Sequence, residues 1–183
     1  HMEEGASKVL SRILIVDDVE ANRFVLRDII ADMGYRPVLT ENGIQALKML
    51  QRIRPQLIIL DIAMPEMDGY EVCEKLKENP DTREIPIIFI SAFDEPEDIV
   101  KGFNLGGADY VTKPFIPEVV KARVGMHLKL AEANRQMQEM NRQLQISVNE
   151  QRKQMERERR SVLYALLRVA RENAGYSDIS MKR

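Results

Sequence analysis

The chain has 183 residues with a formal net charge of −2; charged residues make up 31% of it and aromatic residues 5%. Its single cysteine, Cys73, excludes an internal disulfide and a cysteine-rich metal site. No apolar run approaches the ~20 residues of a membrane helix, and no signal-peptide core is found at the N-terminus. These features predict a cytoplasmic protein that has no membrane partner and in which Cys73 fills core space.

The charge is unevenly distributed along the chain. Residues 118–183 carry 14 Lys and Arg against 8 Asp and Glu, a net charge of +6, which leaves −8 for residues 1–117. The contrast predicts one packed acidic domain followed by a basic appendage. Residues 1–10, which begin with His1-Met2, are interpreted as a tag remnant and leader.

The segment 12–115 alternates short apolar runs with helical patterns, which is typical of a parallel sheet covered by helices. The predicted strands are residues 12–16, 36–40, 57–60, 86–90 and 109–111. Five strands imply five helices. The first two helices have apolar faces formed by Phe24, Leu26, Ile29, Ile30 and Met33, and by Ile44, Leu47, Met49 and Leu50. Gly34 is the predicted stop of the first helix.

Acidic residues stand at the ends of two predicted strands. Asp17 and Asp18 follow the first strand, and Asp61 follows the third. The carboxyl ends of parallel strands form the edge where such sheets bind ligands. Three carboxylates there repel one another unless they are protonated or hold a hard cation such as Mg²⁺. The sequence therefore predicts a Mg²⁺ site in which Asp61 is free to attack a phosphoryl group and form an acyl phosphate.

Two further strand ends supply groups that bind phosphoryl oxygens. Ser91 follows the fourth strand, and Lys113 follows the fifth. A serine at a strand end is usually a cap, and a lysine before a proline is usually solvated. Their order at successive strand ends of one sheet favours a phosphoryl site instead.

Together these motifs resemble the receiver domain of two-component response regulators. The resemblance covers about residues 11–130, and no motif position departs from the family pattern. It implies an α/β fold with a five-stranded parallel, flavodoxin-like sheet in the order 2-1-3-4-5. The residues that carry it are Ile15-Val16-Asp17-Asp18, Leu60 to Pro65 with Asp68-Gly69, Ser91-Ala92, and Tyr110 with Lys113-Pro114-Phe115.

The resemblance also implies the roles of the site residues. Asp61 would accept a phosphoryl group from a cognate histidine kinase. Asp17 and Asp18 would hold Mg²⁺ together with Asp61 and the backbone carbonyl of Ala63. Ser91 and Lys113 would bind the phosphoryl oxygens.

A second set of implied roles concerns switching. Ser91 and Tyr110 match the family's switch positions, and the peptide bond before Pro114 is cis in relatives. Ala63 and Phe93 match positions that vary between members and tune the lifetime of the phosphorylated state. The sequence does not set that lifetime.

Residues 118–173 contain no proline and no turn cluster, which predicts one long helix with its stop at Ala174-Gly175. A 3-4 spacing of apolar residues makes residues 124–173 a predicted coiled coil. The predicted dimer seam contains Leu130, Asn134, Met137, Asn141, Leu144, Val148, Met155 and Val162. Valine and asparagine at a positions with leucine at d positions favour a parallel homodimer. A helix folded back on its own domain, or a solvated tether, is the alternative.

Residues 174–183 are interpreted as the start of a truncated output domain. They are loosely similar to the opening of HD-type phosphohydrolase domains, some of which cleave cyclic di-GMP. The fragment itself is then a switch with self-catalysed phosphotransfer, and the output domain could be a cyclic di-GMP phosphodiesterase. Diguanylate cyclase, Ser/Thr phosphatase and histidine kinase domains stay open as alternatives.

Three other functions are alternatives to a switch linked to an output domain. A metal-dependent phosphohydrolase of another fold would have an aspartate where this chain has Ala63. A DNA-binding regulator would use the basic run Arg152, Lys153, Arg157, Arg159 and Arg160. That run lies inside the heptad register and no helix-turn-helix follows it, so nucleic acid is not expected. A stand-alone receiver that serves as an interaction scaffold is a further alternative. No chemical role is expected for His127.

Overall fold

The computed structural model describes residues 11–92 and 95–181, with side chains up to residue 175. The predictions for residues 1–10 and for Phe93 lie outside the described residues. Strands and helices alternate through the described chain. The strands are β1 (Arg12–Val16), β2 (Arg36–Thr40), β3 (Leu57–Asp61), β4 (Ile87–Ser91) and β5 (Asp109–Thr112), and the helices are α1 (Glu20–Asp32), α2 (Gly43–Met49), α3 (Gly69–Glu78), α4 (Pro96–Asn104) and α5 (Pro117–Met181).

The five strands form one parallel sheet in the order β2-β1-β3-β4-β5, which confirms the predicted fold. Strands β3, β4 and β5 each end one residue later than predicted, and β4 also begins one residue later. The extension arises because Asp61 pairs with Ile90 of β4, and Ser91 pairs with Thr112 of β5. Asp61 and Ser91 are therefore fixed in the sheet and are not loop residues.

Helices cover both faces of the sheet. One core cluster contains Leu26, Ile29 and Ile30 of α1 together with Val120 and Val124 of α5. The opposite cluster receives residues of α2, α3 and α4, and Cys73 is fully buried in it, as expected of a core residue. Because both faces of β3 and β4 are covered, their sequences are continuous apolar runs.

Two residues assigned to apolar helix faces are exposed instead. Phe24 is 40% exposed and Ile44 is 45% exposed. Each lies two residues before a buried one, Leu26 or Ala46. Two residues correspond to about 200° around a helix, so both side chains point away from the core. The Phe24 ring instead lies under the guanidinium of Arg27, with 4.6 Å between the ring centre and the guanidinium carbon.

The last helix is longer than predicted. It has 65 residues and continues through Ala174-Gly175 to Met181, so the predicted stop is wrong. A glycine inside a helix costs about 1 kcal/mol, which neighbouring turns can absorb when no proline follows. The chain divides into two compact units, residues 1–133 and 134–183, and α5 contributes to both. In the second unit, every described side chain is exposed.

No helix among the described residues has an apolar stretch long enough to cross a membrane.

The close packing of Gly107 against the sheet predicts opposite effects for two alanine substitutions. A Cβ atom at Gly107 would lie 2.4 Å from Cε2 of the buried Phe89, whereas a Cβ at Gly125 would find its nearest atom at 4.0 Å. Gly107→Ala should destabilise the protein by about 1–3 kcal/mol through overpacking. Gly125→Ala should stabilise it by about 0.5–1 kcal/mol because α5 gains helix propensity. Urea unfolding measures both, and equal effects of the same sign would contradict this packing.

Candidate functional site

Asp61 is a buried carboxylate without hydrogen bonds. It is the last residue of β3, its exposed fraction is 1%, and neither of its carboxylate oxygens has a hydrogen-bond partner among the described residues. Its Oδ1 atom lies 3.3 Å from Nζ of Lys113. A buried charge that accepts no hydrogen bond is costly, so this position is suited to a bound cation or ligand.

Asp17 presents a second oxygen of the same kind. It follows β1, which is the neighbour of β3 in the sheet, and its side chain is fully buried. Its Oδ1 accepts a hydrogen bond from the backbone N–H of Val19 at 2.8 Å. Its Oδ2 has no hydrogen-bond partner among the described residues and lies 3.4 Å from Nζ of Lys113. The side chain therefore has one satisfied oxygen and one that faces Lys113.

Asp18 completes an acidic cluster with Asp17 and Asp61. Each of the three offers a carboxylate oxygen, and these atoms lie within 4.8 Å of one another. Two members are buried and Asp18 is exposed. The donor set fits Mg²⁺, which prefers oxygen ligands and keeps several waters, because the exposed side leaves room for those waters.

The cluster changes the acidity of Asp61. The net effect raises the pKa of Asp61 to about 7. Burial is the largest cause, and the negative charges of Asp17 and Asp18 also raise this pKa, while the interaction with Lys113 lowers it. Near neutral pH, this carboxyl group is therefore divided between its two protonation states in the metal-free protein. A bound cation would favour the ionised form, which is the nucleophilic one.

Lys113 and Ser91 are held at the neighbouring strand ends. The backbone N–H of Lys113 donates to the carbonyl oxygen of Ser91 at 2.9 Å, which ties the end of β5 to the end of β4. Ser91 is fully buried, and the Lys113 side chain is partly exposed. The Lys113-Pro114 peptide bond is cis, and Tyr110 is buried in β5. The structure therefore brings the Lys113 ammonium directly to both buried aspartates.

The loop after Asp61 is pinned by Gly69. The N–H of Gly69 donates to the carbonyl oxygen of Ile62 at 2.9 Å, and a Cβ atom at Gly69 would lie 2.3 Å from the backbone oxygen of Asp61. Only glycine fits at this distance. Asp68 caps α3 by accepting a hydrogen bond from the N–H of Glu71 at 2.9 Å. Ala63, the expected carbonyl ligand, is exposed in this short, fixed loop.

Sequence reasoning missed two sets of polar contacts. Arg23 donates a hydrogen bond from Nη1 to the backbone oxygen of Asp17 at 2.9 Å. His127 Nε2 lies 2.8 Å from Oδ2 of Asp109, and Arg123 Nη1 donates to Oδ1 of the same carboxylate at 2.8 Å. Arg23 follows Asp17 by six positions, and this closeness in sequence is the only sequence signal for the first contact. The second joins residues that are 14 and 18 positions apart, and no local pattern signals it.

The Asp109 cluster joins the first residue of β5 to α5. Burial raises the pKa of Asp109, but hydrogen bonds from His127 and from the Tyr110 N–H, together with the charge of Arg123, outweigh burial and hold it below the usual value. Arg123 also donates to the carbonyl oxygen of Tyr110. His127, which was expected to have no chemical role, thus has a defined partner in the fold.

The predicted dimer seam lies on exposed faces of α5 in the single chain. Its apolar members have exposed fractions between 54% and 69%. These residues are Leu130, Met137, Leu144, Val148, Met155 and Val162. Asn134 and Asn141 are exposed as well. The predicted seam residues are therefore exposed to solvent in the single chain.

The family model described as the response regulator receiver domain matches residues 13–125. A probable cyclic di-GMP phosphodiesterase from Vibrio cholerae serotype O1 is 37% identical over 158 residues, which are 86% of this chain and 36% of that protein. The response regulator PleD of Caulobacter vibrioides is 42% identical over 114 residues, 62% of this chain and 25% of that protein. The chain thus spans about a third or less of these two relatives.

A solved structure of a receiver domain is also similar to this chain. The signal receiver domain of a signal transduction histidine kinase from Syntrophus aciditrophicus superposes with a TM-score of 0.61 at 39% identity, over 65% of this chain and 90% of that one. The matched region contains the sheet and the acidic strand ends described above. The chain therefore belongs to the response regulator receiver domain family of two-component signalling proteins.

Proposed function

We propose that this chain is a phosphorylation-controlled response regulator in which Asp61 accepts a phosphoryl group from a histidine kinase in a Mg²⁺-dependent reaction. One observation carries the proposal: the Asp61 carboxylate is buried beside Asp17 and Lys113, and neither of its oxygens has a hydrogen-bond partner among the residues that the structure describes. A structural carboxylate would be satisfied by its neighbours. An unsatisfied one, at a sheet edge that has an exposed side, is suited to bind and react. The cytoplasm, where ATP-dependent kinases act, is the expected location.

The reaction needs little beyond position and charge. One oxygen of Asp61 attacks the phosphorus of a phosphohistidine, an O–P bond forms as the N–P bond breaks, and the imidazole nitrogen keeps the electron pair. Lys113 and Ser91 would bind two of the phosphoryl oxygens. Asp17, Asp18 and Asp61, with the Ala63 carbonyl, would hold Mg²⁺, and its positive charge would offset the charge on the carboxylates and on the phosphoryl group.

We further propose that the phosphorylation event controls a cyclic di-GMP phosphodiesterase output domain. The match to the Vibrio phosphodiesterase extends over 158 residues, more than the 133 of the first unit, so the likeness includes part of the second unit. The match to PleD covers only 114 residues. The longer match makes the Vibrio protein the better guide to what α5 serves.

Transmission to the output domain would use a homodimer. The helix α5 continues from the first unit into the second without a break, and its seam residues are exposed in the single chain. We propose that two copies pair in parallel through this seam. Phosphorylation of Asp61 would then shift the population between two arrangements of the paired helices.

Labelling with acetyl phosphate tests the phosphoryl acceptor. The wild-type chain with Mg²⁺ should gain one phosphoryl group in intact-mass spectrometry, whereas Asp61→Asn should gain none, because an amide cannot form an acyl phosphate. EDTA should slow labelling by about a hundredfold or more, since a bound cation contributes several kcal/mol of charge stabilisation. Asp68→Asn is the matched control, as Asp68 lies at the far end of the loop after β3, caps α3 and is not a member of the acidic cluster. Labelling of Asp61→Asn, or none in the wild type, would refute the proposal.

The pKa of Asp61 predicts how the stability of the metal-free protein depends on pH. Burial raises this pKa from 3.8 to about 7. Between these values the folded state keeps a proton that the unfolded state has lost, so wild-type stability falls as the pH rises through this window. Asp61→Asn removes that loss. In EDTA, its stabilising effect should be greater at pH 8 than at pH 5 by roughly 2–3 kcal/mol.

Urea unfolding at the two pH values measures the difference. Asp81→Asn, which changes an exposed aspartate, is the control and should show no such dependence. An equal effect of Asp61→Asn at both pH values would mean that the Asp61 carboxyl is not perturbed by its surroundings.

The dimer seam is tested by two matched charge substitutions on α5. Val148→Asp places a carboxylate at an a position of the seam and should convert a dimer into a monomer, because two charges would be buried opposite each other. Ile146→Asp changes an equally apolar residue on the outer face and should leave the dimer intact. Analytical ultracentrifugation reports the mass. Two variants with the same mass would contradict the assigned seam.

Crosslinking the same dimer tests transmission. Beryllofluoride, which mimics a phosphoryl group on aspartate, should change the crosslinking pattern of wild-type α5 but not that of Asp61→Asn. If both mass and crosslinks stay the same in the wild type, then α5 does not transmit the phosphorylation state.

A further inference from the structure

Arg23 is a largely buried cation, and its guanidinium contacts the backbone of Asp17, one of the proposed metal ligands. It lies in the first half of α1, and its side chain is only 11% exposed. Its Nη1 donates to the backbone oxygen of Asp17 at 2.9 Å, and its Nη2 lies 3.8 Å from Oε1 of Glu41. Glu41 is largely exposed, so the Asp17 carbonyl is the better-defined partner.

With this contact, the backbone N–H, the backbone carbonyl oxygen and one carboxylate oxygen of Asp17 all have hydrogen-bond partners. The N–H of Asp17 donates to the carbonyl oxygen of Thr40 at 3.2 Å, and its Oδ1 accepts from the N–H of Val19 at 2.8 Å. Arg23 holds the remaining backbone group, the carbonyl oxygen. Only Oδ2 lacks a hydrogen bond among the described residues, and that oxygen faces the site.

The carbonyl oxygen of Asp17 belongs to the peptide unit that joins Asp17 to Asp18. A planar peptide moves as one body, so holding this oxygen also holds the Asp18 N–H and Cα, the atom from which the Asp18 side chain departs. Asp18 is the exposed member of the cluster, so packing restrains its carboxylate less than it restrains the buried carboxylates of Asp17 and Asp61. Its placement therefore depends on the backbone more than that of Asp17 or Asp61 does.

We infer that Arg23 is a positioning residue for the cation site, acting through the Asp17-Asp18 peptide on the Asp18 carboxylate. The inference rests on the proposed function, since it concerns the Mg²⁺ that the acidic cluster would hold. Mg²⁺ requires near-octahedral geometry, whereas Ca²⁺ accepts variable numbers of ligands and distances. A loosened Asp18 should therefore weaken Mg²⁺ binding more than Ca²⁺ binding.

If Arg23 acted only through its charge, its removal would change the Mg²⁺ affinity in the opposite direction. The Arg23 guanidinium repels a nearby cation, so removing it would strengthen Mg²⁺ binding if the side chain acted only through its charge. Weaker binding after its removal would thus separate positioning from electrostatics. Arg27 is the matched control. It lies one turn further along α1 and carries the same charge, but it contacts Asp28 and Phe24 instead of the acidic cluster.

The test is calorimetric titration of the whole chain with Mg²⁺ and, separately, with Ca²⁺. Arg23→Ala should raise the Mg²⁺ Kd about tenfold, as expected when a residue that orients a ligand is lost. The Ca²⁺ Kd should rise less than about threefold, so the preference for Mg²⁺ falls. Arg27→Ala should leave both constants and their ratio unchanged. Thermal unfolding in EDTA checks that each variant is folded.

A double substitution tests the route through Asp18. In an Asp18→Asn background, Arg23→Ala should cause little further loss of Mg²⁺ affinity, because the carboxylate that Arg23 positions is already gone. Additive losses would overturn the inference, and so would equal losses for both cations or an unchanged Mg²⁺ Kd in Arg23→Ala. If Arg23→Ala does not fold, Arg23→Lys replaces it, and an unchanged Mg²⁺ to Ca²⁺ preference then overturns the inference.

The wild-type titration separates this inference from the proposed function. If the wild type binds no Mg²⁺, the proposed metal site itself fails. If the wild type binds Mg²⁺ and Arg23→Ala binds it with the same affinity and preference, the metal site stands and only the role of Arg23 is lost.

Discussion

The fold buries one carboxylate, that of Asp61, where neither oxygen has a hydrogen-bond partner among the described residues and the Lys113 ammonium is its only nearby positive charge among them. In folded proteins such a group normally stays exposed to solvent or, when it is buried, has hydrogen-bond partners. Here β3 is buried on both faces and ends in Asp61, so the sheet itself holds the carboxylate in place. The rest of the site is arranged around this unfavourable charge. Lys113 partly offsets it, Asp17 adds to it, and Asp18 forms the exposed side of the cluster.

Sheet order explains how distant residues come together. Strand β3 lies between β1 and β4, so Asp17, Asp61 and Ser91 follow one another along one edge although they are far apart in sequence. Lys113 joins them because β5 is the next strand and its end is hydrogen-bonded to Ser91. The parallel direction of the strands is what makes the site, since antiparallel neighbours would place these residues at opposite edges. The same arrangement leaves α1 beside Asp17, within reach of Arg23.

Much of this was predictable from the sequence, because the strands are short apolar runs and the functional residues follow them directly. The sheet order and the acidic cluster needed only the pattern and the family resemblance. What the sequence did not reveal depends on contacts between distant elements. Asp61 and Ser91 lie inside the ladder because their strand neighbours extend it. Phe24 is exposed because its position on α1 lies on the side of the helix opposite the buried Leu26. The partners of His127 and Arg23 depend on tertiary packing. The helix continues past Gly175 because one glycine without a proline is a weak stop.

The polar cluster of Asp109, Arg123 and His127 limits how β5 can move. Sliding β5 along α5 would break the two contacts to the Asp109 carboxylate and the one to the Tyr110 carbonyl together, whereas moving both elements as a unit would break none of them. Lys113 is attached to the far end of that strand. A displacement of the Lys113 ammonium that moves β5 therefore breaks fewer contacts if the first turns of α5 move together with the strand. The cluster therefore couples β5 to the first turns of α5, so that the two elements are expected to move together.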